Sequence, residues 1–178
     1  MIETTRLTLR PFEETDVEAA FQWFSDPIVM RFTPSGPDAS VEQTRARLLS
    51  YRTHQARHGF SKWALVDRSS SRIIGDSGLL VLDEEEWIDL GFRLSRAYWG
   101  KGFATEAASA WVRAAFEKHH LPALGAFAHP DNLASLRVLD KLGFRRVRQG
   151  TVMGMEAIVF ALSAAAFRRG AGARLTTA

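Results

Sequence analysis

The spacing of apolar residues along the chain predicts an alternation of helices and strands. Apolar residues three and four positions apart, as in 17–24 and 132–142, fall on one face of a helix, whereas short apolar runs bounded by turn residues indicate strands. Helices are predicted over about residues 16–24, 40–58, 103–119 and 132–142. Strands are predicted over about residues 4–12, 62–67, 72–82, 87–94, 123–129, 144–149 and 154–162, the first of them at the edge of a sheet. This order predicts an α/β (α+β) fold with a mixed, mostly antiparallel central sheet flanked by about four helices.

Polar residues and glycines mark where these helices begin and end. Asp16 and Ser40 stand at the positions that cap the first and second helices, and Asp131 or Asn132 can cap the fourth. Gly143 follows the fourth helix, where a left-handed residue commonly ends a helix. The helix boundaries are therefore predicted independently of the apolar pattern.

Composition narrows the class of protein. A chain of 178 residues is most simply one domain, predicted over 1–167 with a flexible tail over 168–178. It has no cysteine, which excludes disulfides, thiolate metal sites and a cysteine nucleophile. We expect a cytoplasmic protein without a membrane segment, because no apolar run approaches the length needed to span a bilayer. The net charge of +3 comes from scattered basic residues, which does not indicate direct nucleic-acid binding.

The segment from Tyr98 to Ala107 carries the strongest chemical signal. Gly100 and Gly102 flank one residue, a predicted strand precedes them and an alanine-rich helix follows. Glycines allow a ligand to approach the backbone closely, and the first amides of a helix lack intrahelical partners and attract anions. The motif lacks the third glycine of a dinucleotide fingerprint and the Gly-Lys-Ser/Thr of a P-loop. An ordinary turn remains the alternative to a pyrophosphate site in residues 98–102, the glycine loop.

The context of this loop resembles a known family. Residues 131–144 read Asp-Asn-Leu-Ala-Ser-Leu-Arg-Val-Leu-Asp-Lys-Leu-Gly-Phe, and with the glycine loop they resemble the GNAT superfamily of acyl-CoA-dependent N-acyltransferases. The similarity is closest to the branch that acetylates ribosomal-protein N-termini (RimJ/RimL-like). Residues 5–12, 25–32 and 89–94 also look like segments of that branch, so the resemblance covers about residues 4–162. It implies a sheet that is splayed at the cofactor site.

The resemblance implies where acetyl-CoA, the acyl donor, is held. Backbone groups of the strand predicted over residues 87–94 form hydrogen bonds with the pantetheine arm. The glycine loop and the helix after it hold the pyrophosphate, and an asparagine on the fourth helix contacts the pantetheine region. The positions of this sequence that match are Phe92, Arg93, Leu94, Gly100, Lys101, Gly102, Phe103, Ala104, Asn132 and Ser135. The family loop usually opens with Gln or Arg three residues before the first glycine; here that residue is Ala97, beside Arg96, which could substitute.

Two side chains are candidates for the chemistry. Many relatives have a tyrosine that protonates the leaving thiolate, but this chain has Leu139 at that position; the resemblance implies that Ser135 can take the role. A structural or CoA-binding serine is the alternative. Asp89 stands where the branch has Glu, and a carboxylate there could accept the amine proton through a water. A surface carboxylate on the strand is the alternative for Asp89.

These observations predict an acetyltransferase that acts on a primary amine, with no metal. The leading acceptor is the N-terminal α-amine of a protein, because its pKa of about 7.7–8.0 lets it react without a strong base. A small-molecule amine, such as an aminoglycoside, polyamine or amino acid, and a non-catalytic acyl-CoA-binding module are the alternatives. Residues 25–40, a proline-rich loop, are predicted to select the acceptor. The sequence leaves open a longer acyl group such as succinyl, and whether the chain forms a homodimer.

Overall fold

Eight strands form one sheet in the computed structural model, which describes residues 1–175 apart from the side chains of residues 84 and 171–175. The sheet order is β1-β2-β3-β4-β5-β6-β8-β7, and every neighbouring pair is antiparallel except β5 and β6. The strands are β1 Ile2–Glu3, β2 Leu7–Arg10, β3 Lys62–Asp67, β4 Arg72–Leu82, β5 Trp87–Leu94, β6 Ala123–Ala128, β7 Arg145–Val152 and β8 Met155–Ser163. The predicted mixed, mostly antiparallel sheet is confirmed.

Five helices flank this sheet. They are α1 Val17–Phe24, α2 Val41–His58, α3 Phe103–Arg113, α4 Leu133–Lys141 and α5 Ala164–Leu175. A π-helical turn, Ala114–Lys118, extends α3, and 3-10 turns cover Glu14–Asp16, Asp83–Glu85 and Arg96–Tyr98. Among the described residues, no helix combines the length and apolar character needed to cross a membrane.

Each face of the sheet has its own apolar core. On one face, α3 and α4 pack around Trp111, which is fully buried, together with Leu124 and Leu139. On the other face, α1 and α2 cover a second cluster that contains Trp23 and Phe24. We call the face beneath α1 and α2 the acceptor face. The separate cores explain why the chain needs helices on both sides, since a sheet with two apolar faces must bury both.

Most of the predicted helix ends are confirmed by their hydrogen bonds. The Ser40 hydroxyl accepts a bond from the Gln43 amide at 3.3 Å, and the Gln43 side chain accepts from the Ala39 amide at 2.6 Å. Asn132, rather than Asp131, caps α4. Gly143 has a φ of +84°, the left-handed geometry expected after a helix.

Three predictions about elements differ from the structure. Asp16 does not cap α1, because its carboxylate binds the Arg10 guanidinium at 2.6 Å and the Glu13 amide at 2.7 Å. The first predicted strand is not an edge strand, since the short β1 pairs outside β2. The helix α5 exceeds the four expected, and it occupies part of the segment predicted as a flexible tail. Residues 176–178 of that tail lie outside the described residues, and its flexibility stays a prediction.

Candidate active site

The sheet opens between its two parallel strands. β5 and β6 are paired at a single position, Asp89 with Gly125, and the strands separate beyond it. From Leu90 to Leu94, β5 pairs with β4 but with no described strand on its other side. We call this opening the splay. An open strand edge of this kind presents amide and carbonyl groups that an extended, amide-bearing ligand can pair with.

The three strand residues predicted to bind pantetheine lie along this open edge. Phe92, Arg93 and Leu94 form the end of β5, with Ser77, Asp76 and Gly75 as their partners on β4. The Leu94 carbonyl accepts a hydrogen bond from the Trp99 indole at 2.7 Å. One carbonyl of the edge is therefore already engaged, and the indole fixes the start of the glycine loop against the strand.

The glycine loop leads from this edge directly into α3. Gly100 and Gly102 have φ values of +72° and +84°, which only glycine adopts without strain. Gly102 is the N-cap of α3, and no side chain accepts a hydrogen bond from the first turn. The amides of the first turn, including those of Phe103 and Ala104, are therefore available to an anion, as the sequence indicates.

A clamp from the residues between β1 and β2 holds this loop, and no motif in the sequence predicts it. The Arg6 guanidinium donates to the Lys101 carbonyl at 2.9 Å and binds Glu106 of α3 at 2.7 Å. Glu106 also accepts from the Thr4 hydroxyl at 2.6 Å. Burial acts to raise the pKa of Glu106, but the bonds from Thr4 and Arg6 hold it below its ordinary value. Glu106 therefore anchors the loop, and the exposed Lys101 contributes its backbone to the clamp.

On α4, Asn132 and Ser135 face the same side. The Asn132 side chain accepts a hydrogen bond from the Ser135 amide at 3.2 Å, so it caps the helix. The Ser135 hydroxyl is half-buried and makes no hydrogen bond to another described residue. Leu139, at the position of the family tyrosine, is buried in the core and offers no proton. Ser135 thus remains the hydroxyl of this helix that could reach a leaving group.

Asp89 lies on the opposite face from α4 and is not a surface residue. Its side chain is only 7% exposed, and its Oδ1 atom has no hydrogen-bond partner among the described residues. Burial raises the pKa of Asp89 to about 6, against the attraction of Lys62, Trp87 and Arg93. The surface alternative considered for this residue is wrong. A buried carboxylate at the origin of the splay is suited to accepting a proton near neutral pH.

A network of buried polar groups surrounds Asp89 on the acceptor face. Arg93 donates two hydrogen bonds to Asp76, at 3.0 and 2.9 Å, and one to the Tyr51 hydroxyl at 2.9 Å. Trp23 adds a bond from its indole to Asp76 at 3.2 Å. These contacts tie α1 and α2 to the strand that forms the splay. Arg93, chosen from the sequence for its backbone, therefore has a structural side chain as well.

The predicted acceptor loop spans the far end of the splay. Asp26 binds Arg96, just after β5, at 2.7 Å, and Phe32 stacks on His129, just after β6, with ring centroids 4.9 Å apart. Residues 25–40 thus contact the residues that follow each of the two diverging strands. The contact engages the Nε atom of Arg96, whose side chain remains 56% exposed, so its substitution for the missing Gln or Arg of the family loop stays a prediction.

Two surface cavities accompany these features. The one beside the glycine loop has a volume of about 360 Å³ and is lined by Arg6, Arg68, Tyr98 and Lys101 among others. A larger one of about 500 Å³ lies between α2 and the end of β4, away from the splay. Neither contains a group of His, Asp or Glu residues able to hold a metal, and no such group exists elsewhere in the described part of the chain.

Comparison with known families identifies the fold and the chemistry. The family model for the acetyltransferase (GNAT) domain matches residues 6–145. The chain belongs to the GNAT family of acetyltransferases. The uncharacterized N-acetyltransferase YoaA of Bacillus subtilis is 31% identical over 148 residues, which is 82% of this chain and 83% of YoaA. This GNAT protein is accordingly an acyl-CoA-dependent N-acetyltransferase, as the sequence predicts.

Solved structures agree on the fold of this GNAT protein. A GNAT-family acetyltransferase from Bacillus anthracis superimposes with a TM-score of 0.81 at 25% identity, covering 92% of this chain and 98% of that one. A putative ribosomal-protein-serine acetyltransferase from Vibrio cholerae has a TM-score of 0.74 at 19% identity, covering 91% of this chain and 96% of that one. The aminoglycoside acetyltransferase AAC(6')-Ib, solved with coenzyme A, has a TM-score of 0.76 at 18% identity, covering 92% of this chain and 98% of that one. The last two share the fold, although one is described as a ribosomal-protein-serine acetyltransferase and the other as an aminoglycoside acetyltransferase.

Proposed function

We propose that this chain transfers an acetyl group from acetyl-CoA to a primary amine, with the N-terminal α-amine of a protein as the leading acceptor. The observation that carries the proposal is the continuity of the open β5 edge with the glycine loop. Pantetheine pairs with Phe92, Arg93 and Leu94, while the first turn of α3 receives the pyrophosphate. Asn132 and Ser135 flank the pantetheine from α4.

The two faces of the sheet supply different parts of the reaction. The amine enters from the acceptor face and attacks the thioester carbonyl within the splay. Asp89 accepts the proton that the amine loses, directly or through a water, and Ser135 donates a proton to the departing thiolate. Backbone amides of β5 stabilise the oxyanion that forms between these steps. Because the strands diverge only beyond Asp89, groups on both faces can reach the same point.

The charges near the splay favour an acceptor with one amine over a polycation. Each described buried carboxylate of the acceptor face already has a cation beside it: Arg93 binds Asp76, Arg47 binds Asp38, Arg10 binds Asp16, and Lys62 attracts Asp89. An aminoglycoside or polyamine would gain more from an acidic lining, because several ammonium groups need several carboxylates. An α-amine with a pKa of about 7.7–8.0 is also partly neutral at pH 7 without help.

An acceptor screen with acetyl-CoA tests the proposal. Peptides with different N-terminal residues, the same peptides with a blocked N-terminus, amino acids, polyamines and an aminoglycoside would be compared by release of free CoA thiol. The expected result is turnover with free-N-terminus peptides that is lost when the terminus is blocked. Turnover confined to small amines would overturn the acceptor assignment, and CoA binding without turnover on any amine would favour the non-catalytic alternative.

A further inference from the structure

Lys62 is buried at the centre of the acceptor face, where lysine is rarely found. It begins β3 and is 4% exposed, although lysine is almost never fully buried unless it is paired. Its neighbours in register are Gly78 of β4 and, next to that, Gly91 of β5. The two glycines leave the space above the sheet empty of side chains, so Lys62 can extend across two strands.

The Lys62 ammonium uses that space to reach β5. Its Nζ atom donates to the Gly78 carbonyl at 3.2 Å. A Cβ at Gly91 would lie 2.0 Å from this Nζ atom and 3.6 Å from Oδ2 of Asp89. Ammonium and carboxylate thus flank the same point above Gly91.

Arg93, the other cation that acts on Asp89, is already neutralised. The Arg93 side chain donates hydrogen bonds to Asp76 and Tyr51, and the Trp23 indole donates another to Asp76. Asp89 has no arginine bound to it, and its Oδ1 atom has no hydrogen-bond partner within the described chain. Lys62 has a single hydrogen bond, to a neutral carbonyl, so its charge is left for Asp89.

We propose that Lys62 is a positioning residue of the acceptor cleft, whose ammonium keeps Asp89 ionised and therefore able to accept the proton of the amine. This inference rests on the proposed function, because it assigns a role to the neighbour of the proposed base. Lys62 does not itself contact the reacting atoms. It acts through Asp89, and the two glycines in register with it are the feature that permits this.

The ionisation of the neighbouring groups agrees with this arrangement. Burial lowers the pKa of Lys62 to about 8, and the attraction of Asp89 and Asp76 opposes that fall while Arg93 adds to it. The pKa of Asp89 is raised to about 6 by burial, against the same Lys62 charge. Both groups are therefore charged between about pH 6 and 8. Without the ammonium, burial of Asp89 would be less opposed and its pKa would rise further.

The pH profile of kcat/KM in a Lys62→Met variant tests this role. Methionine keeps the apolar stem and removes the charge. The acidic limb of the profile should move to higher pH by about one unit or more, the size of shift that a close opposite charge produces. The acidic limb should return to its wild-type position when a Lys62→Cys variant is aminoethylated. This modification restores an ammonium at position 62 alone, because the chain contains no other cysteine. An unchanged limb in Lys62→Met would overturn the proposal.

A second measurement applies even if the variant is too slow to assay. The titration of the Asp89 carboxyl can be followed by carbon-13 NMR, with Asp89→Asn to assign the signal, in the wild type and in Lys62→Met or Lys62→Gln. A higher Asp89 pKa in the variants is expected, and equal values would contradict the role of Lys62. If the wild type titrates as described but transfers no acetyl group, the proposed function fails while the coupling of Lys62 and Asp89 stands.

Discussion

At the scale of single residues, we propose that acetyl transfer uses two side chains from opposite faces of the sheet. Ser135 lies on α4, which packs with α3, and Asp89 lies beneath α1 and α2. Ser135→Ala should lower kcat by about 10²–10⁴-fold with little change in the KM for acetyl-CoA, if its hydroxyl protonates the thiolate. Steady-state kinetics would check this. A raised KM with unchanged kcat would make Ser135 a binding residue instead.

The pKa of Asp89 gives a pH-dependent prediction. A carboxyl with a pKa of about 6 is an ionised base above that pH and loses this role as pH falls through it. In Asp89→Asn the defect in kcat/KM should be largest between about pH 6 and the amine pKa, where the wild-type carboxylate is ionised and the amine is still mostly protonated. The defect should shrink below that range, where the wild-type carboxyl is protonated, and above it, where free amine is abundant. Rates from pH 5.5 to 9.5 would show this, and a defect independent of pH would remove Asp89 from the base role.

Residues differ in how far the sequence reveals them. Asp89 could be chosen because it stands where the resembling family branch has Glu, two positions before Gly91, and that resemblance is visible in a short stretch of the chain. Lys62 could not, because its approach to Asp89 exists only once three strands align Lys62, Gly78 and Gly91. The burial of Asp89 was likewise not predictable, since it depends on the helices that cover the acceptor face.

At the scale of elements, the glycine loop is the part of the site with the most specific geometry. Gly102→Glu places a side chain and a negative charge at the start of α3, where phosphate is expected. CoA affinity should fall at least tenfold, measured by calorimetry. Gly102→Gln is the matched control, because it has the same size and the same strain at φ +84° without the charge. Equal affinity in the wild type and Gly102→Glu would place the pyrophosphate elsewhere.

The elements themselves were largely predictable, because their signals are local. Ser40, Asn132 and Gly143 mark helix ends by bonds within a few residues, and the structure has those bonds. The prediction that Asp16 caps α1 was wrong because Arg10, on the preceding strand, binds its carboxylate. The clamp from Arg6 to Glu106 joins residues 100 positions apart, and such contacts leave no periodic trace in the sequence.

At the scale of the whole molecule, the buried charges of the acceptor face cost stability. Folding raises the pKa of Asp89 above its ordinary 3.8, so stability falls as pH rises from about 4 to 6. Folding lowers the pKa of Lys62 from 10.5, so stability recovers between about pH 8 and 10.5. The contribution of the two groups is therefore least favourable between about pH 6 and 8.

Removing both charges should therefore stabilise the fold. The Lys62→Met/Asp89→Asn double variant should be more stable than the wild type at pH 7, by about 1–4 kcal/mol. Each single variant should be less stable than the double, because it leaves one buried charge without its neighbour. Urea unfolding at pH 5, 7 and 9 would measure this. A double variant less stable than the wild type at pH 7 would show that the two charges stabilise the fold.

If the splay and the glycine loop together form the acyl-CoA site, CoA should stabilise the folded protein. At 100 times its dissociation constant, CoA should stabilise the fold by about 2.7 kcal/mol, which for a chain of this size raises the melting temperature by roughly 5–11 °C. The rise should be present in the wild type and in Ser135→Ala, and it should be strongly reduced in Gly102→Glu at the same CoA concentration. A melting temperature that millimolar CoA leaves unchanged in the wild type, or that rises equally in Gly102→Glu, would contradict the claim.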